Sequence, residues 1–75
     1  MNKVRRTQIQ RVSDSISNII AEIETIRDEE DEARKSMPEN LVGSERYETS
    51  EVASDTLQDT IDLLEESVER LSEIS

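Results

Sequence analysis

The stretch IQRVSDSISNIIAEIETI, residues Ile9 to Ile26, decides the fold. Its apolar residues fall at Ile9, Val12, Ile16, Ile19, Ile23 and Ile26, at intervals that alternate three and four without a break, and the spacing runs on through Glu30 and Ala33. This is a heptad pattern, with Ile9, Ile16 and Ile23 at one core position and Val12, Ile19 and Ile26 at the other. It predicts a long amphipathic helix stabilised by packing, because β-branched residues lose side-chain freedom in a helix and are middling helix formers. The pattern also answers a question raised by composition. With 37% charged residues and a single tyrosine as its only aromatic, the chain has the make-up of a disordered polypeptide, and such polypeptides lack a regular three-four alternation.

A second pattern follows in the other half. Leu57, Ile61, Leu64, Val68 and Leu71 alternate intervals of four and three, with Ser54 extending the row backward and acidic or polar residues between them. This predicts a second amphipathic helix. Arg70 stands four residues after Glu66, a favourable pairing of small size, whereas Glu69 and Glu73 at the same spacing repel.

The segment between them holds the only proline and the only glycine. Pro38 disfavours helical geometry at Met37 and donates no hydrogen bond, so the first helix should end near Lys35 or Ser36, where Arg34 and Lys35 suit the negative end of its dipole. Ser36-Met37-Pro38-Glu39 has the form of a capping box for a single turn through Leu41. Gly43 is the natural left-handed stop, and Ser44 caps a new helix whose first turn carries Glu45 and Glu48. The expectation is a single all-α domain over residues 1–75: helix one about 2–35, a turn over 36–43 and helix two about 44–74, folded as an antiparallel hairpin. A turn centred near residue 40 places Ile9 opposite Leu71, Val12 opposite Val68, Ile16 opposite Leu64, Ile19 opposite Ile61, Ile23 opposite Leu57 and Ala33 opposite Tyr47. A register shifted by one heptad is the alternative.

Size argues for assembly. A chain of 75 residues with neither cysteine nor histidine has no disulfide or zinc site to reinforce a small core, which leaves association with another chain. Ile20, Val52, Leu63 and Ile74 lie beside the core rows and are the candidate oligomer interface. The expected assembly is a homo-oligomer, a dimer or larger, built as a four-helix bundle or coiled coil. The alternative is that these four are ordinary exposed apolar residues.

Charge is unevenly distributed. Residues 1–12 carry Lys3, Arg5, Arg6 and Arg11 without an acid, so the rest of a chain of net charge −10 holds all 19 acids against five bases. Such a surface repels nucleic acid and attracts basic protein surfaces. The simplest use of the basic arm is pairing with Glu65, Glu66, Glu69 and Glu73 near the end of helix two. No apolar run suffices for a membrane span or a secretion signal, and a soluble cytoplasmic protein is expected. Asp28-Glu29-Glu30-Asp31-Glu32 invites a cation-binding reading, yet consecutive helical carboxylates diverge around the axis, so a solvated face is expected, with Glu30 alone pointing inward. No phosphate loop, nucleophile elbow or metal motif occurs, and neither an enzyme nor a cofactor is expected.

The junction carries a resemblance. Ile26-Arg27-Asp28-Glu29-Glu30-Asp31-Glu32-Ala33, Met37-Pro38-Glu39-Asn40-Leu41 and Ser44-Glu45-Arg46-Tyr47-Glu48, with Thr60-Ile61-Asp62-Leu63-Leu64-Glu65-Glu66 further on, follow the pattern LRDEEQEAxxNxPExLxxSERxE and a repetitive acidic helix. This resembles a group of small helical proteins encoded by bacteriophages and prophages, and it implies a phage setting rather than a mechanism. Two functions are then expected. In the first, a small acidic oligomer occupies a basic surface of a host protein, such as a defence or nucleic-acid-binding protein, through Asp28, Glu29, Asp31 and Glu32. In the second, Asn40, Ser44, Arg46 and Tyr47 of adjoining chains hold a nucleotide-like anion at the corner.

Overall fold

The computed structural model describes residues 1–75 and consists of two long helices joined by a short turn. Helix α1 spans Lys3–Lys35, a single 3-10 turn spans Glu39–Leu41, and helix α2 spans Glu45–Ser72. Asn2 caps α1 by accepting from the Arg5 N–H at 2.8 Å. Ser44 caps α2 by accepting from the Tyr47 N–H at 3.2 Å, one residue after Gly43 turns the chain at a φ of +86°. The capping box at Ser36 does not form. Ser36 ends α1, and its hydroxyl donates back to the Glu32 carbonyl at 3.1 Å, while Pro38 precedes the 3-10 turn without a side-chain cap.

The helices lie antiparallel in a hairpin whose Cα extents are 60 × 14 × 11 Å. Their register is fixed at both ends. Ser50 bonds Glu30 near the turn, and Ile9 and Leu71 line one cavity at the open end, as a turn near residue 40 requires.

The seam departs from the heptad reading on one helix. Along α2 the inward row is Tyr47, Ser50, Ser54, Leu57, Ile61, Leu64, Val68 and Leu71, all buried or half-buried. Along α1 it is Ile9, Ser13, Ile16, Ile20, Ile23, Arg27, Glu30 and Arg34. Val12, Ile19 and Ile26 are therefore not core: they remain 52%, 46% and 53% exposed beside the seam, while Ile20, expected at an oligomer interface, is 8% exposed within it. Relative to the expectation, α1 is turned about its axis by about 50°, half the ~100° between consecutive helical residues. Ala33 turns outward with them, so it does not face Tyr47.

The cause lies near the turn. There α2 offers Ser50, Ser54 and Gln58 to the seam, whose polar atoms need partners when removed from water. Glu30 faces them in either rotation, but the expected one would add Ile26 and Ala33, whereas the observed one adds Arg27, Asp31 and Arg34. Toward the open end the chain is nearly indifferent, because Ile20 replaces Ile19 without loss and only Ser13 replaces Val12. A rigid helix takes one rotation along its length, and the polar third sets it. No buried side-chain oxygen or nitrogen is left without a partner. The buried apolar residues are Ile20 and Ile61 alone.

Candidate functional site

The densest constellation of functional groups lies at the turn end. Arg34 Nη1 donates to Ser54 Oγ at 2.8 Å and to Ser50 Oγ and the Ser50 carbonyl at 3.2 Å, while its Nη2 donates to Asp31 Oδ1 at 2.8 Å. Ser54 Oγ donates to the same Asp31 oxygen at 2.7 Å, closing a ring of three side chains, and Ser50 Oγ donates to Glu30 Oε2 at 2.8 Å. One layer further in, Arg27 Nη1 donates to Gln58 Oε1 at 2.6 Å, and Arg27 also holds Asp28 at 2.9 Å. The Ser54 hydroxyl first, and the Arg34 guanidinium second, hold the Asp31 carboxyl below the usual carboxylate range. Asp31 in turn raises Arg34, and Asp28 raises Arg27, each through a charge-assisted hydrogen bond. Two helices are thereby fastened by ions and hydroxyls where the apolar residues run out.

An open cleft of about 520 Å³ adjoins this cluster. Glu30, Ser50 and Arg46 give it polar walls, and Met37, Pro38 and Leu41 line it from the turn. Arg46 makes no ion pair or hydrogen bond, so its charge is free at the rim.

The expected acidic face is not free. Asp28 is paired with Arg27, Asp31 is turned inward onto Arg34 and Ser54, and Glu32 lies 3.5 Å from Lys35, which leaves Glu29 as its one unpaired carboxylate. Of the four corner residues, only Arg46 lines this cleft. Ser44 shares a shallower depression with Arg46 but is occupied as a helix cap, Tyr47 is half-buried in the seam, and Asn40 is exposed on the 3-10 turn. The basic arm does not pair with helix two: Lys3, Arg5, Arg6 and Arg11 form no ion pair, and Glu66 takes Arg70 instead, at 2.9 Å.

Two surfaces emerge that the sequence reading did not isolate. Along the outside of α2, Glu45, Glu48, Asp55, Asp59, Asp62, Glu66, Glu69 and Glu73 are all exposed at heptad spacing, an acidic ridge that runs the length of the helix. Subtracting the inward row of α2 from its sequence would have shown it. On one side of the seam, Val12, Ile19 and Ile26 form an exposed apolar row. Of the expected interface residues, Ile74 shares that side at the far end of α2, Leu63 stands at its rim, and Val52, 63% exposed, lies within the acidic ridge.

No helix is long and apolar enough to cross a membrane. No protein-family model, curated protein or solved structure matches the chain.

Proposed function

We propose that this hairpin is a non-enzymatic interaction protein that captures a basic surface on another protein through the outer face of α2. The observation that carries the reading is the acidic ridge. Eight exposed carboxylates follow one helix face with only Arg70 in ion-pairing contact, whereas the acids of α1 near the turn are largely consumed in holding the hairpin together. A one-signed rail on a straight helix raises the rate at which a positively charged partner arrives and fixes the line along which it docks. The resemblance of the junction to phage proteins makes a host protein the natural partner, and a surface that otherwise receives nucleic acid has the matching charge.

The test is capture from host lysate by the chain and by a variant carrying Asp55→Lys, Asp62→Lys and Glu69→Lys. A partner retained at low salt, released by salt and lost with the variant supports the reading; a partner held equally by both sinks it.

A second reading is favoured by Arg46. This unpaired cation lines the turn-end cleft and attracts a small anion such as a nucleotide phosphate, with the Glu30 carboxylate of the same cleft acting against it. Binding of such an anion that disappears in Arg46→Ala, with helicity unchanged, would support sequestration in place of protein capture.

A further inference from the structure

We infer that the face carrying Val12, Ile19 and Ile26 is a self-association surface, and that a second copy of the chain packs on it with its turn at the opposite end. This stands apart from capture of a partner, because it uses the side of the hairpin that the acidic ridge leaves free.

Composition is the first support. The cleft lined by Ala33, Ala53 and Arg46 shows that the flanking rows of the two helices share one side of the seam. Followed along each helix at heptad spacing, that side presents Arg5, Val12, Ile19, Ile26 and Ala33 on α1, and Arg46, Ala53, Thr60 and Ser67 on α2, with Ile74 just past the helix end. Its only charges are the two arginines, Arg5 at the open end and Arg46 at the turn, on a chain of net charge −10. The small residues on α2 allow a neighbouring helix to approach closely. Area is the second support: a face of 60 by 14 Å amounts to about 800 Å², the size that one partner contributes to a standard stable interface.

Charge complementarity selects the occupant and its direction. Arg5 ends the apolar row at the open end and is unpaired, whereas Glu22 and Glu29, also unpaired, border it at its middle and toward the turn. A two-fold axis through Ile19, which the register sets level with Thr60, lays α1 antiparallel on α1 of the second copy. Ile19 then meets its own counterpart, Val12 comes level with Ile26, and Arg5 comes within a turn of Glu29 of the second copy. The opposite arrangement, turns together, would set α1 against α2 and join two ends in which residues 28–48 carry eight acids against three bases.

The chain has no cysteine, so a single substitution reports the geometry. Ile19→Cys in the full chain, oxidised under mild conditions, should give a disulfide-linked dimer, and sedimentation should show the unmodified chain as a dimer. Ile19→Asp, at an exposed position, should give a helical monomer. Arg5→Glu, which reverses two symmetry-related contacts, should weaken the dimer about tenfold, and adding Glu29→Arg should restore it. A chain that stays monomeric at all concentrations overturns the inference and leaves the face to another protein. Crosslinking of Ile19→Cys only with Thr60→Cys, and not with itself, overturns the orientation.

Discussion

Ile61 is the best-buried side chain of the hairpin at 2% exposure, and truncating it tests the seam directly. Ile61→Ala removes three carbons, about 2.4 kcal/mol at ~0.8 kcal/mol for each buried methylene. The thin hairpin cannot fully collapse around the gap, and the residual cavity raises the cost to about 3 kcal/mol. Set against the ~5 kcal/mol at the low end for small domains, that is more than half of the stability. For a chain this short it corresponds to a fall in Tm of about 12 to 24 °C. Val52→Ala is the control. It removes two carbons from a side chain that is 63% exposed and gains helix propensity, so the two effects nearly cancel at about 0.5 kcal/mol each. Urea unfolding of both variants, followed by helical ellipticity at one chain concentration, measures the difference. Equal losses, or a larger loss for Val52→Ala, would refute the assignment of α2's inward row.

Asp31 gives a dependence on pH. Its carboxyl is held below its ordinary value in the folded hairpin, so its stabilising contribution is complete above the unfolded carboxylate range and is lost as pH falls through its folded value. The wild-type chain should therefore be more stable than Asp31→Asn near neutrality, with the two urea midpoints converging in acid; a gap independent of pH would show that the carboxylate's charge is not what matters. Gly43→Ala should cost about 1 kcal/mol, because Gly43 has a φ of +86° although there is open space for a Cβ. A thermal unfolding midpoint unchanged by that substitution would show that the turn adopts another conformation in solution.

What the sequence made legible differs between the two helices for a physical reason. On α2 the row from Ser54 to Leu71 has, apart from Leu63, only charged or polar residues on its other faces, so one continuous stripe alone can be buried. On α1 the stripe Val12, Ile19, Ile26 and Ala33 is more apolar than the adjoining Ser13, Ile20, Arg27 and Arg34, so heptad spacing alone selects the row that the fold leaves exposed. The choice was encoded elsewhere, in Ser50 and Ser54 of the other helix, whose seam positions demanded hydroxyl partners that Asp31 and Arg34 provide. Local punctuation at Gly43 and Ser44 was readable because each acts within three residues of itself, Gly43 through its own backbone and Ser44 through a hydroxyl that accepts from the Tyr47 N–H. The Ser36 pattern misled because a capping box needs its serine outside the preceding helix, and Ser36 is still bonded into α1. The acidic run from Asp28 to Glu32 likewise looked like a free face until α1's rotation turned Asp31 toward Arg34 and Ser54. Arg46 could be singled out as a corner cation, yet only the fold shows that it has no partner.

The seam thus changes character along its length, from isoleucine and leucine at the open end to a closed ring of arginine, aspartate and serine at the turn. The two halves answer to different conditions. Cooling weakens apolar burial, so the ends bearing Ile9 and Leu71 should part first in the cold. Acid leaves the apolar seam of those ends untouched and discharges Asp31, so the seam should loosen first at the turn at low pH. One hairpin carries two separate weak points, and temperature and proton concentration each choose which end opens.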